Sequence, residues 1–435
     1  MAKHTPIDYL IKPMGRFINN STTSGIVLFI AALAALIMAN SPLSEFYKSL
    51  WEYKFTIGFE NYNISKTVSH WINDGLMAMF FFVIGLELKR EVIGGELSNP
   101  KDAILPVFAG FGGMIFPALI FLLFNFGTET ESGWGIPMAT DIAFALGIIY
   151  LLGDKVPLSL KIFLTALAIA DDLGAVLVIA FFYTSQISYT SLMIGAAFLG
   201  VLYAANKIGV RSPAFYGIVG VGGVWLAFLL SGVHATIAGV LAALTIPANV
   251  KVDDLLFTRK LRQLAVSFEN AEKNEISLIT KEQLEVIENV RNCTKAAITP
   301  LQQIEHSLHP IVAFIILPLF AFANTGVEFS GNFAEGLTSN ITLGIIFGLL
   351  FGKFIGIVGV TRLIVFFKLA ALPQGASWKQ LYGVALLASV GFTMSLFITE
   401  LAFSNPEHIV QAKFGILIAS AIGGISGYLL LRKGN

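Results

Sequence analysis

A succession of apolar runs of about 20 residues constrains this chain more than any other feature, because each run can cross the roughly 30 Å hydrocarbon core of a bilayer as a helix. Lipid offers no hydrogen bonds to the backbone, so runs of this length read as helical spans. The first, Thr23 to Asn40, exceeds the apolar region of a signal peptide and is not followed by an A-x-A cleavage pattern, so it reads as a retained span. Others follow at 69–88, 103–126, 134–152, 159–183, 189–206, 213–230, 233–248, 310–327, 341–367, 381–403 and 411–431. They predict an all-α polytopic membrane protein of about twelve transmembrane helices. Composition excludes the soluble alternative. Only 13% of the 435 residues are charged and 55% are hydrophobic, with a mean hydropathy of +0.76, too little polar surface to cover a soluble core. A net charge of zero gives nucleic acid nothing to recognise. The lone Cys293 excludes both an internal disulfide and a cysteine-based metal site.

Basic residues set the orientation. Lys3, Lys12 and Arg16 in the tail, Lys89, Arg90 and Lys101, Lys155 and Lys161, Lys207 and Arg211, and Arg362, Lys368 and Lys379 fall in alternate loops, all on one side, and the chain ends with Arg432 and Lys433, whereas the opposite loops hold only Lys48, Lys54, Lys66 and Lys413. Both termini are therefore expected in the cytoplasm. The chain divides into a cytoplasmic tail 1–22, two spans with an external hairpin over 23–101, core spans over 102–183, further spans over 184–248, an enlarged cytoplasmic loop 249–309, a span 310–327, and the last three spans within 341–435. In the enlarged loop, Leu284, Ile287, Val290, Ala297, Leu301, Ile304 and Leu308 follow a helical period, and Thr299-Pro300-Leu301-Gln302 has the form of a capping box. At least one amphipathic helix is expected there, as a connector lying against the membrane surface. Outside, the runs around Phe55-Thr56-Ile57-Gly58 and Tyr62-Asn63-Ile64-Ser65 suggest a small hairpin about an Asn-containing turn.

The informative charges are those inside spans, where each costs roughly 2.5 to 3.5 kcal/mol on insertion scales. Asp171, Asp172, Asp141 and Lys353 all fall near the middle of their spans. One acid with one base would read as a helix-locking ion pair. Three acids against one base leave a carboxylate without a counter-charge, and it must hold a proton or a cation. Neighbouring helical residues differ by about 100° in direction, so one of Asp171 and Asp172 can pair with Lys353 while the other faces an aqueous funnel. Carboxylate oxygens with Thr140 nearby suit a hard monovalent cation such as Na⁺ or Li⁺, and no cofactor is called for. Proton and cation competing for one site is the chemistry of an exchanger.

The backbone adds a second clue. Gly133, Gly135 and Pro137 precede Thr140-Asp141, and Gly391-Phe392-Thr393 interrupts the span 381–403. Two interrupted helices in corresponding places point to an inverted-repeat transporter in which spans three to five match ten to twelve and the broken helices cross at mid-membrane.

The strings WINDGLMAMFFFVIGLELKRE (71–91), GIPMATDIAFALGIIYLLGDKVP (135–157), LTALAIADDLGAVLVIAFFY (164–183), SGVHATIAGVLAALTIP (231–247), LPLFAFANTGV (317–327) and GFTMSLFI (391–398) together resemble the NhaA family of bacterial Na⁺/H⁺ antiporters. That family is itself a standard example of the inverted-repeat architecture. The resemblance implies an electrogenic exchanger of the inner membrane in which Asp172 binds the cation and carries protons, Asp171 pairs with Lys353, and Asp141 with Thr140 lies at the crossing. It further implies pH activation through Glu87, Arg90, Glu305 and His309, more loosely through His234, and a homodimer formed by the outer hairpin, here 54–65. His234 reads equally as a hydrogen-bonded interior residue. Three features differ from the common family pattern: Phe354 follows Lys353 where proline is usual, Gln302 and Gln303 precede Glu305 where basic residues are usual, and the loop before them is much enlarged.

Two other classes fit less well. An intramembrane aspartyl protease also needs paired aspartates at mid-membrane, but its G-x-G-D string is missing and Lys353 would have no duty. A cation-driven solute carrier would need a further polar cluster at the midplane.

Overall fold

The computed structural model describes residues 21–59, 62–184, 187–272, 278–328 and 333–433. The tail 1–20, with Lys3, Lys12 and Arg16, and the hairpin turn at 60–61 lie outside the described residues. Helix dominates the rest. In chain order the main helices are α1 (Ser21–Ala39), α2 (Ser44–Glu52), α3 (Met77–Gly94), α4 (Pro100–Asn125), α5 (Ile142–Leu151), α6 (Leu158–Phe182), α7 (Tyr189–Ile208) and α8 (Pro213–Leu229). They continue as α9 (Ala235–Thr245), α10 (Asp254–Asn270), α11 (Lys281–Ala297), α12 (Pro300–Asn324), α13 (Asn340–Phe366), α14 (Trp378–Leu387), α15 (Phe392–Ala402) and α16 (Pro406–Arg432). Two short strands, β1 (Lys54–Phe59) and β2 (Tyr62–Thr67), pair antiparallel between α2 and α3 with Ile57 opposite Ile64, as the hairpin pattern predicts.

Local sequence sets many of the ends. Asn99 and Asn405 accept hydrogen bonds from backbone N–H groups in the first turns of α4 and α16, each with proline at the first helical position. Ser377 with Gln380 and Thr299 with Gln302 form the capping boxes of α14 and α12. Gly209, at φ 91°, closes α7 in the left-handed region.

Seven of these helical segments are long and apolar enough to cross a membrane, or up to nine if each sharply bent pair counts as one span. The protein is thus a multi-pass membrane protein. Length and composition alone stop short of the expected twelve. The run 233–248 shows why, since it is helical only over Ala235–Thr245. His234 stands before the first turn, and Pro247 drives Ile246 into extended backbone.

Two features place the centre of the molecule. The first is a stripe of Gly348, Gly352 and Gly356 on α13, spaced by four, which brings that helix against α4 at backbone distance. A Cβ on Gly356 would lie 2.1 Å from the carbonyl oxygen of Gly112. The second is a pair of interruptions. A 3₁₀ stretch, Glu131–Met138, is followed by three non-helical residues before α5, and residues 388–391 separate α14 from α15 with a 43° bend. The break therefore precedes Phe392, with Gly391 as the cap of α15. The two interruptions touch: the Asp141 N–H donates to the Val390 carbonyl at 2.7 Å.

The enlarged loop folds as two helices, α10 and α11, packed on each other. The expected single period breaks at Ile298-Thr299, and Leu284 and Ile287 stay exposed, so part of that apolar pattern faces away from any core.

Candidate cation site

Lys353 and Asp171 are joined at the centre of the bundle, both fully buried. The Lys353 ammonium donates to Asp171 Oδ2 and, at 2.8 Å, to Thr140 Oγ1. The Thr140 hydroxyl approaches Asp171 Oδ2 at 2.8 Å and the Ala388 carbonyl at 2.9 Å, so one residue of the first interruption bridges the ion pair to the second. A π-helical turn, Gly348–Gly352, sits immediately before Lys353. Such turns are frequent at functional sites, and here the extra residue falls where α13 presses on Pro117. Helix continues through Phe354, so the missing proline leaves no kink beside the lysine.

Asp141 lies at the crossing and is held by the other broken segment. Its Oδ1 accepts from the Phe144 N–H at 2.9 Å, capping α5, while its Oδ2 accepts from the Thr393 N–H at 3.1 Å and the Thr393 hydroxyl at 2.6 Å. Both contacts use the N-terminal turn of a half-helix, where backbone donors are free because no preceding turn consumes them. The sequence reading named Thr393 only as part of an interruption; its side chain as a carboxylate ligand was not foreseen.

Asp172 differs from its neighbour. Both aspartates are buried and have an Oδ1 without a hydrogen-bond partner among the described residues, but Asp172 has no ion pair there and lines a cavity of about 110 Å³ together with Asp141 and Thr393. The same cavity reaches Glu87 and His309, whereas Asp171 and Lys353 are not part of its wall. Adjacent residues on α6 therefore have different surroundings, one locked into an ion pair and one open to a largely apolar cavity that also holds Asp141, Thr393, Glu87 and His309. Two carboxylates and the Thr393 hydroxyl make a donor set of oxygens, which suits a small hard cation with some of its water retained.

The candidate pH-sensing residues separate into two places. Arg90 pairs with Glu305 and, at 3.0 Å, with Glu91, and His309 Nδ1 lies 3.5 Å from Glu87, so Glu87, Arg90, Glu305 and His309 form one cluster at the mouth of the cavity. Beside it Lys89, beyond the span 69–88, donates to the carbonyls of Leu244 and Ile246 at the end of α9, and burial holds its ammonium below the usual lysine range. His234 begins α9, so about 16 Å of helix separates it from that cluster. It hydrogen-bonds Thr236 at 2.8 Å and approaches Asp74 at 3.5 Å, and Asp74 also contacts His70 at 2.8 Å. Asp74 escaped the sequence reading because it lies near the start of its span, where a charge meets water cheaply and carries little signal.

Comparison with known proteins finds relatives along nearly the whole chain. The family model described as Na⁺/H⁺ antiporter 1 matches residues 15–431. A protein of Oleidesulfovibrio alaskensis named Na(+)/H(+) antiporter NhaA is 50% identical over 432 residues, covering 99% of this chain and 96% of that one. The Na(+)/H(+) antiporter NhaA 1 of Saccharophagus degradans is 48% identical, with 98% and 92% covered, and the Na(+)/H(+) antiporter NhaA of Wolinella succinogenes is 46% identical, with 95% and 92% covered.

Proposed function

The chain belongs to the Na⁺/H⁺ antiporter 1 family, and from that premise we propose that it exchanges cytoplasmic Na⁺ or Li⁺ for external protons by letting cation and proton compete for the mid-membrane aspartates. The observation that carries this reading is Asp172: a buried carboxylate with an unpartnered oxygen on a cavity shared with Asp141, beside an aspartate already paired with the local cation. Such an oxygen must be satisfied by a proton or by a cation, and either one weakens binding of the other.

In this reading Asp172 releases its proton as Na⁺ or Li⁺ arrives through the cavity, with Asp141 completing the oxygen shell. More protons than cations per cycle, as electrogenic exchange requires, needs a second titrating group. Asp141, on the same cavity wall as Asp172, is the second carboxylate available for it. The crossing of the broken helices is the natural pivot for alternating access, because hydrogen bonds from both segments meet at Asp141 and Thr140 and few are lost if the half-helices tilt together. Twelve spans in an inverted repeat, an inner-membrane location with both termini in the cytoplasm, and a homodimer through the hairpin 54–65 belong to the same proposal. The exposure of Phe55 and Ile57 on β1 supports the dimer. The cluster of Glu87, Arg90, Glu305 and His309 at the cavity mouth supplies the pH control, and the exchange serves sodium and pH homeostasis.

Everted vesicles with an acid interior, read by a pH dye, test the assignment. Na⁺ or Li⁺ alone should dissipate the gradient. A gradient that holds until an organic solute is supplied would assign the protein to another transport class.

A further inference from the structure

The hairpin α10–α11 takes no part in the proposed exchange, and its surface is unusual. Its base is fastened to the ends of the membrane helices. Arg211 donates to the carbonyls of Asn249 at 2.7 Å and Ile298 at 3.2 Å, the Lys251 N–H donates to Ala296 at 3.0 Å, and the Leu301 N–H donates to Pro247 at 3.2 Å. Both helices thus leave from the level at which α9 ends and α12 begins. Yet α10, with α11 as its main packing partner, buries no side chain. Its apolar stripe of Phe257, Leu261, Leu264 and Phe268, spaced at i, i+4, i+7 and i+11, lies on one face, and Leu261 and Phe268 remain exposed there beside α11. Between Asp254 and Glu269 the only charges on α10 are Arg259, Lys260 and Arg262, all exposed.

We propose that α10 docks on the anionic lipid surface of the leaflet from which α9 and α12 emerge, seating Leu261 and Phe268 among the acyl chains with Lys260 and Arg262, about 100° to either side of Leu261, on the headgroups. A helix with an incomplete apolar face, low overall hydrophobicity and a cationic flank is what an interfacial helix requires. The bilayer is also continuous with the hairpin's base, so α10 meets it without diffusion. A second copy of the chain is a poorer occupant, because it would bring the same cations into apposition. Docking on the cytoplasmic leaflet rests on the orientation proposed above; the attraction between α10 and anionic headgroups does not.

The test uses the full chain with Cys293→Ala and Leu261→Cys, labelled with an environment-sensitive fluorophore. It is reconstituted in liposomes of phosphatidylcholine with or without phosphatidylglycerol, each with a nitroxide quencher in the lipid tails. Docking predicts blue-shifted emission and quenching in the phosphatidylglycerol liposomes, reversed by high salt, while a label at Glu285→Cys stays in water. Reversing the two flanking cations, Lys260→Glu with Arg262→Glu, should weaken the partition of α10 by at least roughly thirtyfold, while Arg259→Glu alone has a smaller effect. Absence of quenching in both lipids overturns the proposal, as does quenching indifferent to phosphatidylglycerol and salt, or a blue shift without quenching, which would mark a protein partner. Na⁺-driven proton flux in the same liposomes separates the two readings: an active preparation with an undocked hairpin rejects the docking alone.

Discussion

The crossing at mid-membrane and the cluster at the cavity mouth both set carboxylates against basic side chains and differ in their solvent. At the crossing, Asp171, Asp172, Thr140 and Lys353 are buried, and the Lys353–Asp171 pair has Thr140 as its one further side-chain partner among the described residues. At the mouth, the side chains of Arg90 and His309 are 43% and 62% exposed, so water can replace a lost partner. Identical chemistry therefore carries different energies. In the dry region a single missing charge has no substitute, which fits a site that must choose between proton and cation; in the wet region it is softened, which fits adjustment rather than exchange.

The comparison breaks first at Asp172. Asp172→Asn should reduce cation-driven proton flux in everted vesicles to background at every pH while the protein still inserts. Measurable exchange at any pH would remove the distinction between the regions. Next is Asp171→Asn, which leaves Lys353 charged and unpaired in the dry interior and should cost about 3–5 kcal/mol of stability, seen as a clearly lower Tm in detergent. Restoration of that Tm by adding Lys353→Met would sharpen the case for the pair; an unchanged Tm in the single variant would refute it. Thr393→Val removes the hydroxyl from Asp141 Oδ2 while keeping its shape, a loss of about 1.5–3 kcal/mol, and should weaken Na⁺ or Li⁺ dependence of flux by at least about tenfold.

Effects should shrink at the mouth. Glu305→Gln removes the buried partner of an Arg90 side chain that water still reaches, worth about 1 kcal/mol. It should shift the pH at which flux is half-maximal and leave the maximal flux intact; loss of the maximum would move Glu305 into the exchange machinery. The smallest effect is expected at Lys89. Its ammonium lies below the usual lysine range when folded, so between that point and the usual value the unfolded chain binds more protons and stability rises with pH. Lys89→Gln should flatten that slope in a Tm-against-pH series on the alkaline side and lower Tm slightly elsewhere, by the loss of a cation capping the end of α9.

Much of this was legible in the chain. Asp141, Asp171, Asp172 and Lys353 stand out because lipid penalises unpaired charge, so their depth alone marks them. The interruptions were legible because glycine and proline are poor helix formers wherever they fall. The capping box at Thr299 with Gln302 was legible for the same local reason, as was the hairpin from its alternation. Asp74 was not, since near a span end a charge carries no anomaly, and neither was the hydroxyl of Thr393, since threonine is common in membrane helices.

The sequence by itself determined that the chain crosses a membrane, which residues carry charge at its centre, and where the backbone must break. Those follow from local rules: hydropathy over one span, the cost of a charge in lipid, the geometry of one turn. Only the tertiary structure decided which of two adjacent aspartates is paired and which is open. That choice depends on Lys353, 182 and 181 positions away in the chain, and on the glycine contact between α4 and α13 that sets its approach. Direction around a helix axis has no meaning in one dimension; it acquires meaning when a neighbour is packed against one side and a cavity left on the other.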